Sequence, residues 1–169
     1  MTCLICEKIE KEKKIYEDDK VIAFLDDKPM SLGHVIITTK QHFPIIENVP
    51  DFIINHLFKI VNKISIAVFE SLGALGTNII VNNGIPAGQE HPHFFVNIIP
   101  RRQNDNINFR FKPRQLNEEE MSTVELMLKD ETKNIGNFEK EKERPIEIEK
   151  EKEKISGENY MIKVLKRMP

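Results

Sequence analysis

The chain has no run of 18 or more apolar residues, which removes the ordinary sequence signature of a membrane-crossing helix. Its start, MTCLICEKIEKEKK, carries no cleavable export pattern. The short apolar patch contains Glu7, ends in charge and lacks a small-residue cleavage site, so a cytoplasmic location is expected. There is no excess of either charge: 25 Lys and Arg stand against 27 Asp and Glu, a net of -2. That balance speaks against a chain built as a whole to bind nucleic acid. Only two cysteines occur, Cys3 and Cys6, too few and too close for a disulfide-stapled secreted domain. In a reducing compartment Cys-x-x-Cys reads instead as half a metal site or as a redox pair.

What is present is enough for one domain with an appendage: 169 residues, 40% of them hydrophobic. KIYED and KVIAFLD, within residues 14–26, read as two short strands joined by a polar turn at Asp18 and Asp19. Residues 27–33 connect them to HVIITT, a β-branched strand over residues 34–39. A helix is predicted from Asp51, with Ile53, Leu57, Ile60, Val61, Ile64 and Val68 forming one apolar face and Gly73 as its stop. TNIIV, residues 77–81, returns to strand, and NNGIPAG, residues 82–88, is a loop with backbone freedom and amides for a phosphate. HPHFFVNIIP then reads as a strand from His93. Phe94, Val96 and Ile98 face the core, and His93, Phe95, Asn97 and Ile99 face the other way.

Beyond residue 103 the character changes. Asn117 and Glu120 have capping-box spacing, which predicts a helix over 117–133 that Met121, Val124, Leu128 and Leu126 could dock. Residues 138–154 are nearly all charged and cannot bury much alone, so they are expected to face solvent and to offer a surface to a protein partner. For the C-terminal end, a hairpin between PIEIE and YMIKVL competes with a helix interrupted at Pro145. The division expected is therefore 1–103 for a folded domain and 104–169 for a charged extension.

Cys3, Cys6, His42 and His93 together offer a Cys2His2 set suited to zinc; the alternative is two free thiols and two unrelated histidines. The loop that ends in Gly88 and Gln89, just before a histidine-bearing strand, is placed to cradle phosphate, although Glu90 would oppose it.

The CxxC opening, YEDDKVIAFLD, GHVIITTKQH and AGQEHPHFFVNIIPR occur in one order over residues 1–102. In these the chain resembles the histidine-triad (HIT) superfamily of nucleotide hydrolases and transferases, specifically its zinc-containing bacterial and archaeal-type branch. The resemblance implies an α+β fold with an antiparallel sheet and packed helices, a homodimer joined through helices, and a purine-nucleotide pocket on the sheet. It implies that Asp26 holds the ribose hydroxyls, that Ile22 and Phe24 line the base pocket, and that His34 is a pocket histidine. Asn82, Gly88 and Gln89 would lie beside the phosphates, and Cys3, Cys6, His42 and His93 would bind zinc. Each has a plainer reading as core, cap or loop stabiliser.

The departures from the family pattern carry the functional expectation. The signature is His-x-His-x-His, whose middle histidine attacks the α-phosphate. Counting back from Pro100-Arg101 and forward from Gly88-Gln89 both place the three positions at His93, Phe95 and Asn97. Phe95 has no lone pair for phosphorus, and Asn97 cannot shuttle a proton near neutral pH. On an extended strand His91 lies about 13 Å, and His93 about 7 Å, from the nucleophile position. The expectation is a purine-nucleotide-binding protein whose hydrolase activity is lost or much reduced. The rivals are an active hydrolase using His91 or His93 in an unusual way, and an interaction protein with a vestigial pocket.

Overall fold

The computed structural model of the chain describes residues 3–133 and 135. The elements are α1 (Leu4–Lys11), β1 (Lys14–Glu17), β2 (Val21–Leu25), β3 (Val35–Thr39), α2 (Asp51–Leu72), β4 (Gly76–Ile80), β5 (Phe95–Arg101) and α3 (Glu118–Thr132). The strands form one antiparallel sheet in the order β1-β2-β3-β5-β4. This is the expected α+β architecture, with a further helix beyond it.

Side-chain alternation decides what each face of the sheet buries. Val21 and Ala23, Val35 and Ile37, and Phe94, Val96 and Ile98 pack with Ile53, Leu57, Val61 and Val68 of α2. On the opposite face Ile22, Phe24 and Ile36 make a smaller cluster, with Ile9 of α1 and Phe95 packed against it. By length and composition alone α2 is apolar enough to cross a membrane, but Ile53, Leu57, Val61, Ser65 and Val68 are buried in this core. Gly73 ends α2 in the left-handed conformation, φ 60°. Gly33 is also left-handed, φ 88°, and a Cβ there would stand 2.1 Å from Leu72 Cδ1, so helix end and strand entry approach closely only because Gly33 lacks a side chain.

The β1–β2 turn is organised by one carboxylate. Asp18 accepts from the backbone N–H of Lys20 and Val21 at 2.8 and 2.7 Å, from the Tyr16 hydroxyl at 2.7 Å, and meets His56 Nε2 of α2 at 2.6 Å. Burial alone would raise its pKa, but the hydrogen bonds from His56, Tyr16 and the two amides hold it well below the usual carboxylate range. The unfolded chain, with an aspartate pKa of about 3.9, therefore takes up that proton first. This contribution to stability is full above about pH 4 and declines as pH falls toward the folded value. Asp18→Ala should cost about 1–2 kcal/mol, the carboxylate's partial exposure discounting the upper end. Urea melts of the two proteins from pH 7 to pH 2 check this: the difference should shrink as pH falls, and a pH-independent difference would contradict it.

Two expectations need adjustment. The last strand pairs from Phe95, not His93, because the Phe94 amide donates to Phe43 O at 2.6 Å and the His93 amide to His91 O at 2.8 Å, which bends the chain before the ladder begins. Residues 4–11, read only as a Cys-x-x-Cys segment, form α1. The first compact unit runs to Phe111, and the second starts at Lys112. Arg101 holds that strap through Asp105, the Ile107 carbonyl and the ring of Phe109.

Within the second unit α3 has the expected capping box: Asn117 Oδ1 accepts from the Glu120 amide at 2.8 Å, and Glu120 Oε2 from the Asn117 amide at 3.1 Å. Its Met121, Val124, Leu126 and Leu128 are exposed, however, and none is docked among the described residues. The charged run of residues 138–154, and the hairpin or helix considered for the segments after it, lie outside the described residues.

Candidate functional site

Cys3 at the N-cap of α1 and Cys6 in its first turn bring two sulfurs toward the start of the bend before β5. Both Sγ atoms lie 3.5 Å from His93 Nδ1, and Cys6 Sγ lies 3.5 Å from His42 Nδ1. The four ligand atoms fall within 4.8 Å of one another. A tetrahedral ion with metal–sulfur bonds of about 2.3 Å and metal–nitrogen bonds of about 2.0–2.1 Å requires sulfur–nitrogen edges of about 3.5 Å, so the donor set fits a metal ion in spacing as well as in chemistry. His93 is fully buried, and its Nε2 lies 3.2 Å from the Thr39 carbonyl. A carbonyl only accepts, so Nε2 carries the proton and the Nδ1 lone pair faces the sulfurs, as in a metal-binding histidine whose other nitrogen is held by a backbone carbonyl. Burial, opposed by the Thr39 bond and aided by His42, lowers the His93 pKa and keeps the ring neutral. Burial and the neighbouring Cys3 push the Cys6 thiol up, a cost a bound cation would reverse.

A cavity of about 590 Å³ lies between α1 and the sheet face opposite α2. Asp26, His34, Asn82, Gly88, Phe95 and Asn97 line it together, and His91 stands at its loop side. Ile22 and Phe24 do not reach it: both are fully buried beneath, and Ile36 is the member of their cluster that does. Gln89 is also outside the lining. Its side chain closes the loop, accepting from the Gly84 amide at 2.8 Å and donating to the Pro44 and His91 carbonyls at 2.6 and 2.9 Å. Among the wall residues that the sequence reading did not single out are Ile5 and Lys8 of α1 and Phe109 of the strap. The period-two row of Phe95, Asn97 and Ile99 already pointed to Ile99.

The three signature positions have separate fates. His93 is turned away to the cysteines and is absent from the cavity wall. Phe95 presents its ring at the wall. Asn97 Oδ1 lies 3.0 Å from His34 Nε2, and the Met30 amide donates to His34 Nδ1 at 3.3 Å. His34 therefore carries its proton on Nε2 and donates it to Asn97. Asp26 sits beside the same histidine, Oδ2 to Nδ1 3.4 Å, and its Oδ1 is 3.3 Å from Lys8 Nζ; Lys8 also pairs with Asp27.

The loop differs from the phosphate cradle expected of it. The amides of Gly84, Ala87, Gly88 and Gln89 are all donated within the loop, to Gln89 Oε1 and to the carbonyls of Gly84, Ile85 and Gly84 respectively. Asn82 Nδ2 donates to the Gly88 carbonyl at 3.1 Å, bracing the same turn.

The HIT domain family profile matches residues 7–104. The adenylylsulfatase HINT3 of Arabidopsis thaliana is 38% identical over 106 residues, covering 61% of this chain and 54% of its own, so the match spans about half of that relative. The crystal structure of a HIT family protein from Bacillus anthracis superposes with a TM-score of 0.71 at 29% identity, over 77% of this chain and 96% of that one. A zinc-bound histidine triad family protein from Mycobacterium smegmatis gives a TM-score of 0.60 at 27% identity, over 78% and 98%. With the family profile covering more than half of its length and the fold shared with solved members, the chain belongs to the HIT family.

Proposed function

We propose that this protein is a purine-nucleotide-binding member of the HIT family in which hydrolysis is lost or much reduced and a zinc ion serves structure. One observation carries the reading: the ring at the nucleophile position of the cavity wall is Phe95, while the neighbouring signature histidine, His93, points at two thiols. Asp26, His34 and Asn97 remain grouped at the wall, so ribose and phosphate contacts can outlast the chemistry. The two free thiols suit a reducing, cytoplasmic setting. Titration with AMP or GMP tests the binding half, with saturable one-to-one binding expected. Binding of neither would favour the interaction-protein reading.

A two-fold homodimer, expected mainly from the family resemblance, has modest support from the helix. The face of α2 turned from the sheet exposes Phe52, Phe58 and Ile66, which supports a two-fold homodimer built on it. Sedimentation equilibrium at tens of micromolar should report a dimer, and Phe58→Glu with Ile66→Glu a folded monomer. A wild-type monomer would count against the assembly.

A further inference from the structure

Resting on the nucleotide reading, we infer that the cavity selects nucleosides and nucleoside monophosphates and discriminates against di- and triphosphates. Two independent features point this way. The first is charge. The wall carries five carboxylates, Glu7, Glu12, Asp26, Asp27 and Glu90, against three ammonium groups, Lys8, Lys11 and Lys28. Lys8 is held by Asp26 and Asp27 together, and Lys11 faces Glu7 at 3.8 Å. Only Lys28 of the three has no carboxylate partner among the described residues, whereas Glu90 stands exposed at the loop where phosphates would extend. A polyphosphate would bring three or four negative charges into a wall that is already net negative.

The second feature is the backbone. A phosphate chain is ordinarily received by unpaired amides or by free arginine and lysine. Here the amides of Gly84, Ala87, Gly88 and Gln89 are committed inside the loop, and the side-chain amides of Asn82 and Gln89 brace it. One phosphate can still meet the Asn97 side-chain NH2, but those after it meet Glu90 and satisfied amides. The neutral and apolar part of the wall, Ile5, Ile36, Phe95 and Ile99, suits the nucleoside instead.

Calorimetric titration of the purified full chain with adenosine, AMP, ADP and ATP, without added divalent cation, tests this. ATP should bind at least about tenfold more weakly than AMP at low salt, the gap narrowing as salt screens the carboxylates. Glu90→Thr, at an exposed position, should strengthen ATP binding several-fold and adenosine binding by much less. Affinity that rises from adenosine to ATP, with Glu90→Thr without effect, would overturn the inference alone. Failure of all four ligands to bind would overturn it together with the nucleotide reading.

Discussion

Stripping zinc from the purified protein is expected to lower its melting temperature by about 15–30 °C. A ligand present a thousandfold above its Kd stabilises the folded state by about 4 kcal/mol, and in a domain of about 100 residues each kcal/mol moves the midpoint by about 4–8 °C. The effect should be that large because of where the ligands sit. Cys3 and Cys6 belong to α1, His42 to the segment after β3 and His93 to the bend before β5. Without a cation, two sulfurs and two imidazole nitrogens remain crowded, and among the described residues Ile5, Ile9 and the Lys8 pairs are left to hold α1 to the sheet. Protein prepared without chelator should contain about one zinc per chain, and re-addition of zinc should restore the melt. Cys3→Ser with Cys6→Ser should reproduce the loss and make it insensitive to chelator. Metal-free protein from a chelator-free preparation, or a Cys3–Cys6 disulfide under reducing conditions, would contradict this.

Much of the fold was legible because its elements follow simple periods. The 3.6-residue recurrence from Ile53 to Val68 specified α2, and period two over Phe94–Ile99 specified which side chains enter the core. α1 was harder to read. It is a helix of only eight residues, and buried Ile5 with partly buried Ile9 is a single i,i+4 signal inside a segment dominated by charge and by the cysteines. The metal cluster was visible only as four residues scattered over 90 positions; their convergence depends on the bend at 91–94, which no local pattern announces. The roles of Gln89 and Asn82 were equally hidden. An amide side chain serves a ligand or its own loop equally well in sequence, and only the geometry of the turn decides. Phe109 escaped because it reaches the wall through a strap held by Arg101.

The proposed loss of the nucleophile has a direct kinetic consequence. Wild-type protein should turn over adenosine phosphoramidate or diadenosine polyphosphate below about 10⁻³ s⁻¹, at least a thousandfold under the ordinary lower bound of about 1 s⁻¹ for enzymes. The reaction needs an unprotonated imidazole nitrogen in line with the leaving group, and Phe95 supplies a ring without one. Asn97 accepts a hydrogen bond from His34 but has no proton to exchange near neutral pH. Phe95→His with Asn97→His replaces both groups at positions that line the cavity, and should raise the rate by about 10²-fold or more. The most direct measurement is a single-turnover reaction of wild type and double variant with labelled substrate, quenched and mapped for a nucleotidyl-histidine. No covalent adduct is expected on wild type, and an adduct is expected on the histidine introduced at position 95. Wild-type turnover near 1 s⁻¹, with the nucleotide attached to His91 or His93, would contradict it.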